Sequence, residues 1–140
     1  MANYRSFNLK EIADSVGLSV AEYMISCYYC QKWLTVYEKL IYIHSELLCV
    51  WREDCPYACC QACIRVGARV DFLTGFGRSV PASRYPELSS EPWENIIVRC
   101  LTCLRRLTPV EKTDILTNNS TIFLIKSGFR APCALCRLGI

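Results

Sequence analysis

Histidine is almost missing from this chain of 140 residues; His44 stands alone. A nucleophilic cysteine needs a positioned base, and this lone histidine supplies no evident dyad. No phosphate-cradling loop and no catalytic carboxylate pair is present, so the chain reads as a non-enzyme. Long apolar runs are missing too. Residues 40–43 and 47–51 are strand-sized or core-sized, far short of the ~18 residues of a membrane span. The opening Met1-Ala-Asn-Tyr-Arg-Ser lacks the apolar core of a secretory leader. An excess of either charge is missing as well: a formal net charge of +3 is too small to argue for nucleic acid. Arg65, Arg69, Arg78 and Arg84 make a DNA-binding regulator conceivable without forming a dense basic stripe.

Cysteine, by contrast, is abundant. There are eleven, and the odd count argues against a closed disulfide framework of the secreted type. Eight fall into four Cys-x-x-Cys pairs: Cys27/Cys30, Cys60/Cys63, Cys100/Cys103 and Cys133/Cys136. The first two pairs are separated by 29 residues, and so are the last two. Two residues between thiolates let one tight turn present both sulfurs to one ion, and two such pairs complete a tetrahedral zinc site. The spacing therefore predicts two structural Zn2+ ions, one in each half. Halves of roughly 60–70 residues have marginal cores, and zinc is a staple of about 10–16 kcal/mol coupled to folding. With every ligand position filled by cysteine, His44 is expected to be structural. Cys49 reads as a small buried hydrophobe, while Cys59 lies next to a ligand where the other half has Pro132.

The halves repeat beyond their cysteines. Cys27-Tyr-Tyr-Cys30-Gln-Lys-Trp-Leu34-Thr35-Val-Tyr-Glu38-Lys39 and Cys100-Leu-Thr-Cys103-Leu-Arg-Arg-Leu107-Thr108-Pro-Val-Glu111-Lys112 share C-x-x-C-x-x-x-L-T-x-x-E-K. The leucine is placed to pack on the metal turn. Thr-x-x-Glu is a capping box that starts a helix, supported by Pro109 at the first helical position. The expected fold class is a small α+β zinc-binding protein of two pseudo-repeated lobes, each a short antiparallel sheet with short helices and a four-cysteine zinc site, joined by a linker helix. Residues 1–26 read as an arm of two short helices, opened by Asn8-Leu-Lys-Glu11 and Ser19-Val-Ala-Glu22. Ile12, Ala13 and Val16 line one face of the first; Val20, Tyr23 and Met24 line the second. Residues 27–72 form the first lobe, with a helix to about Ser45, strands at 47–51 and 57–59, a turn at 53–56 and a helix over 64–72. Residues 73–95, rich in Gly, Pro and Ser, read as the interlobe linker. Residues 96–140 form the second lobe, with a strand at 121–125 and a turn at Ser127-Gly128.

Written as CxxC-x29-CxxC-x36-CxxC-x29-CxxC, the layout resembles the papillomavirus early protein six family, the small transforming oncoprotein. Cys27-Tyr-Tyr-Cys30, Val50-Trp51-Arg52-Glu53, Pro56-Tyr57-Ala58 and Ile97-Val98-Arg99-Cys100 look like family stretches at matching places. The resemblance covers the chain from about residue 20. The arm, Leu9-Lys-Glu-Ile-Ala-Asp-Ser-Val-Gly-Leu-Ser, looks more like cutaneous beta- and gamma-type members.

The resemblance implies a viral adaptor of the host nucleus and cytoplasm that captures acidic Leu-x-x-Leu-Leu helices between its lobes. Its lining would be Tyr28, Tyr29, Leu47, Val50, Cys59, Ile64 and Ala68, with Arg99 facing the peptide. A second family arginine aligns with Gly128, leaving Lys126 or Arg130 as the replacement. Leu47 and Val50 read equally well as core, and Arg99 reads equally well as an offset to thiolate charge. Implied partners are a Mastermind-like coactivator, whose capture represses Notch-driven transcription, or a HECT ubiquitin ligase, whose recruitment degrades the tumour-suppressor transcription factor. The terminal Leu138-Gly139-Ile140 lacks the hydroxyl residue of a PDZ-binding tail. The spacing is also unlike the interleaved pairs of a RING ligase.

Overall fold

The computed structural model describes residues 5–138; the readings made on residues 1–4 and 139–140 lie outside them. The chain divides into two compact units after Ile64.

In the first unit, Asn8 caps α1 (Leu9–Ser15) by accepting from the Glu11 N–H. Leu9, Ile12 and Ala13 are buried, whereas Val16 points outward. Gly17, at φ +75°, ends the helix. The second helix of the arm does not form. Ser19 and Glu22 exchange their capping bonds, but the chain stops after one turn. The reason is Lys39, whose buried Nζ donates to the carbonyls of Ala21 (3.0 Å) and Tyr23 (2.9 Å). A continuing helix would need those acceptors itself. Met24 is accordingly exposed rather than packed.

The Thr35–Glu38 capping box opens α2 (Val36–His44), and His44 is exposed at its end. β1 (Val50–Arg52) and β2 (Cys55–Tyr57) form an antiparallel hairpin. β1 is shorter than expected, and β2 keeps its expected length but begins two residues earlier. Glu46 takes φ +57°, and the Leu47 N–H bonds back to Tyr42, so residues 46–49 close the helix instead of extending the strand. The loop is only Glu53 and Asp54, both at positive φ, the arrangement that suits a two-residue hairpin. The arm is tied to this hairpin: Trp51 Nε1 donates to the Ser6 carbonyl, and the Cys49 N–H to that of Phe7.

α3 (Gln61–Gly75) is longer than its sequence suggested, and the unit division falls inside it. In the second unit, β3 (Phe76–Pro81), β4 (Val98–Cys100), β5 (Thr121–Ile125) and β6 (Gly128–Ala131) form one sheet in the order β3-β5-β6-β4. It is not wholly antiparallel, because β4 runs parallel to β6.

The stretch expected as linker is structured. β3 pairs with β5 across a bulge between Phe76 and Arg78, and 3-10 turns follow at Ala82–Glu87 and Trp93–Asn95. Its glycines serve close approach rather than flexibility. A Cβ at Gly77 would stand 3.0 Å from the Leu124 carbonyl oxygen, and one at Gly75 3.0 Å from Lys126 Cβ. The core gathers Val80, Trp93, Val98, Leu107, Ile115 and Ile122 against α4 (Pro109–Thr117), opened by the Thr108–Glu111 box with Pro109 in its first turn. A one-turn helix, α5 (Ala134–Arg137), closes the unit.

Candidate metal centres and their surroundings

Each metal turn is built the same way at positions 73 residues apart. The Cys27 N–H bonds to the Lys32 carbonyl, and that of Cys100 to Arg105. Gln31 and Leu104 sit at φ +63° and +62°, the left-handed residue that closes each knuckle. Leu34 and Leu107 are buried behind the turns, at 6% and 3% exposure, as their spacing predicted. Tyr28 N–H to Ala58, and Leu101 N–H to Ala131, bring in the strand that carries the second pair.

The sulfurs converge. The donor atoms of Cys27, Cys30, Cys60 and Cys63 lie within 4.8 Å of one another, and so do those of Cys100, Cys103, Cys133 and Cys136. A tetrahedral ion with Zn–S bonds of about 2.3 Å holds its sulfurs about 3.8 Å apart. Cys30 and Cys60 Sγ are 3.7 Å apart, and Cys103 and Cys133 Sγ 3.9 Å. Four thiols at that spacing fit Zn2+.

Their electrostatics agree. Burial pushes the Cys27 thiol up, but the N–H groups of Cys30, Cys60 and Tyr29 outweigh it and bring it down to about 6. Donation from the Cys103 thiol, with the Cys103, Cys133 and Thr102 N–H groups and against burial, takes Cys100 down to about 4. Burial and the neighbouring sulfurs hold Cys63 upward and Cys136 at about 12, while the hydrogen bond to the Cys100 sulfur, with burial adding, holds Cys103 upward. Four adjacent thiolates repel one another, so full deprotonation requires a cation among them. Both sets thus hold structural zinc.

A further layer surrounds both sets. Glu111 Oε1 accepts from the Thr108 N–H at 2.9 Å, while Oε2 accepts from Arg105 Nη2 at 2.6 Å and from the Ala134 N–H at 2.7 Å. Glu38 repeats this with Thr35 N–H (3.1 Å), Lys32 Nζ (3.6 Å) and Gln61 N–H (3.1 Å). One carboxylate therefore ties the helix after the first Cys-x-x-Cys to the backbone turn of the second. Burial raises the Glu111 pKa, but Arg105 and the two N–H donors overcome it and set it at about 2. A depressed carboxylate stabilises the fold above its ordinary 4.5, and that contribution fades as pH falls toward 2.

Lys112 repeats Lys39: its buried Nζ donates to the carbonyls of Trp93 (2.6 Å) and Ile96. The E-K dipeptide stood in the sequence repeat, but only its capping role was legible there. Burial depresses both lysine pKa values; for Lys112 the nearby Arg106 adds to it.

The residues matched to a peptide pocket are distributed as follows. In the first unit, Tyr28 is half-buried, edge-on to Tyr29 (5.2 Å) and Tyr57 (5.9 Å), with Arg52 over its face. Tyr29 is 72% exposed and Val50 exposed, so Val50 is not core. Leu47 and Cys59 are half-buried, and Ile64 is buried. Burial, with the Cys27 and Cys60 sulfurs adding, pushes the Cys59 thiol up to about 12. Burial alone does the same to Cys49, a small buried hydrophobe as read.

In the second unit, Ala68 is buried and Lys126 exposed. Arg99 is half-buried, and its Nη1 donates to the Leu104 carbonyl in the metal turn. Arg130 pairs with Arg99 across β4–β6 and with Phe123 across β5–β6, so the three side chains share one sheet face. Arg130 Nη1 lies 3.6 Å from where a Cβ on Gly128 would stand. Burial lowers its pKa, countered by Asp71. Among the described residues no helix is long and apolar enough to cross a membrane.

Comparison with known proteins agrees with this architecture. The model of the family described as Early Protein (E6) matches residues 27–136, spanning all eight ligands. Similar proteins include Protein E6 of Human papillomavirus type 1, 28% identical over 130 residues and 93% of each chain. Protein E6 of Human papillomavirus 4 is 29% identical over 136 residues, 97% of each chain. That of Human papillomavirus 68 is 29% identical over 132 residues, 94% of this chain and 84% of the other.

Proposed function

The chain belongs to the Early Protein (E6) family of papillomaviruses, a family of non-enzymatic viral adaptors, and from that premise we propose that it captures acidic Leu-x-x-Leu-Leu helices of host proteins. Leucines at helical spacing would enter an apolar surface, while carboxylates meet basic residues. Tyr28, Tyr29, Leu47, Val50, Cys59, Ile64 and Ala68 are the apolar contributors, and Arg99 and Arg130 the basic ones. The observation that carries the reading is the Arg99–Arg130 pair on one face of the sheet. The guanidinium of Arg130 reaches the space beside Gly128, where the resemblance calls for a second arginine. A partly desolvated guanidinium attracts a carboxylate more strongly than one in bulk water. Arg130, rather than the exposed Lys126, is therefore the replacement.

The preferred partner is a Mastermind-like coactivator, and the outcome repression of Notch-driven transcription in the host nucleus; cytoplasmic partners extend the same capture to apoptosis and protein degradation. Titration calorimetry of the zinc-loaded chain against Mastermind-like and HECT-ligase Leu-x-x-Leu-Leu peptides tests this. The Mastermind-like peptide should bind, Tyr29→Ala, Leu47→Glu and Arg130→Gln should each weaken it, and Lys126→Gln should not. Binding of the ligase peptide alone would reverse the partner choice. Unchanged affinity in Tyr29→Ala and Leu47→Glu would overturn the site.

A further inference from the structure

Helix α3 is apolar on opposite sides. Ile64 and Ala68 face inward at 7% and 3% exposure, yet Val66, Val70 and Leu73 are 64%, 50% and 65% exposed. Their i, i+4, i+7 spacing aligns them in one ridge. Just past the helix end, Phe76 is also half exposed, its ring 5.4 Å from that of Phe72. Soluble helices ordinarily turn charged or polar residues outward, so a ridge of this kind marks a surface that something covers.

The flank of the ridge identifies what. Arg65 and Arg69, four residues apart and both exposed, lie side by side along it. Neither enters an ion pair among the described residues. We propose that this face of α3 is a second docking surface, for an amphipathic host helix. Its apolar edge lies on Val66, Val70 and Leu73, and carboxylates along one side meet Arg65 and Arg69.

A second copy of this chain is a poorer occupant. Antiparallel two-fold packing of α3 on itself sets each arginine flank against its twin, and like charges across an interface are unfavourable. Nucleic acid would satisfy the arginines but leave the apolar ridge without a partner. The surface uses none of Tyr29, Leu47 or Arg130, so it stands or falls apart from the Leu-x-x-Leu-Leu reading.

The probe is a fluorescein-labelled 18-residue helical peptide with leucines at i, i+4 and i+7, glutamates along one flank and no Leu-x-x-Leu-Leu sequence. A second peptide carries lysine in place of each glutamate. Fluorescence anisotropy with the zinc-loaded chain should show binding of the glutamate peptide and not of the lysine peptide. Val66→Ser with Leu73→Ser should weaken it at least about tenfold, as expected when anchor residues are removed. Arg65→Glu with Arg69→Glu should exchange the preference, losing the glutamate peptide and gaining the lysine one. Each variant should keep two zinc ions and its wild-type response to Leu-x-x-Leu-Leu peptides, which separates docking from folding.

Three results overturn the proposal. One is unchanged affinity in both variants. Another is loss of the probe in Tyr29→Ala, which would place it in the other site. The third is a ridge that serves a different occupant: sedimentation velocity showing self-association abolished by Val66→Ser with Leu73→Ser, or phosphatidylserine vesicles binding the chain through it while the peptide does not.

Discussion

At the scale of single residues, the carboxylates behind the metal turns carry the strongest expectation. Glu111 joins three donors, one of them the backbone of the turn that bears Cys133 and Cys136. Outer partners of metal ligands commonly contribute 10- to 100-fold in affinity. Glu111→Gln should accelerate zinc loss to a chromogenic chelator by about that factor, and Glu38→Gln should act likewise on the other centre. Stoichiometry at saturating zinc should remain two. Ile115 serves as the packing comparison: it is 1% exposed at the centre of the second core, so Ile115→Ala should lower stability by about 2–5 kcal/mol. Zinc release that followed only this global loss, and not the carboxylate change, would refute the positioning role.

At the scale of elements, the capping boxes were legible because their chemistry is local. Thr35 and Thr108 each receive the N–H three residues on, and each glutamate reaches back. Thr108→Ala should cost about 1 kcal/mol in thermal or urea unfolding, with Pro109 still marking the helix start. What was not legible depended on partners distant in sequence. Ser19-Val-Ala-Glu22 has the form of a helix start, yet Lys39 takes the carbonyls that helix would use. Residues 75–92 have the composition of a tether, yet Gly77 is there because Leu124 approaches too closely for a side chain. Gly77→Ala should loosen β3 from β5, seen as faster amide hydrogen exchange across Phe76–Pro81 while β6 stays protected. Composition alone does not separate a glycine that confers freedom from one that permits contact.

At the scale of the whole molecule, both metal sets were readable from spacing, because a thiolate pair on one ion tolerates few separations. A strong chelator should therefore unfold both units and not merely inactivate them, checked by circular dichroism alongside native mass spectrometry of the loaded chain. Retention of folded signal without metal would contradict the staple. The sheet order and the parallel β4–β6 pair were not readable, since strand neighbours are chosen by packing that sequence periodicity does not encode. The pocket residues came from resemblance. Tertiary placement then distinguished exposed Val50 and Lys126 from buried Ile64 and Arg130.

The two sequestered ammonium groups have a consequence for covalent traffic on this chain. Of its five lysines, Lys39 and Lys112 spend their amines on main-chain oxygens, at 2% and 7% exposure. Ubiquitin-transfer or acetylation enzymes would find only Lys10, Lys32 and Lys126 open on the surface. The chain therefore offers few lysine acceptors for such modification.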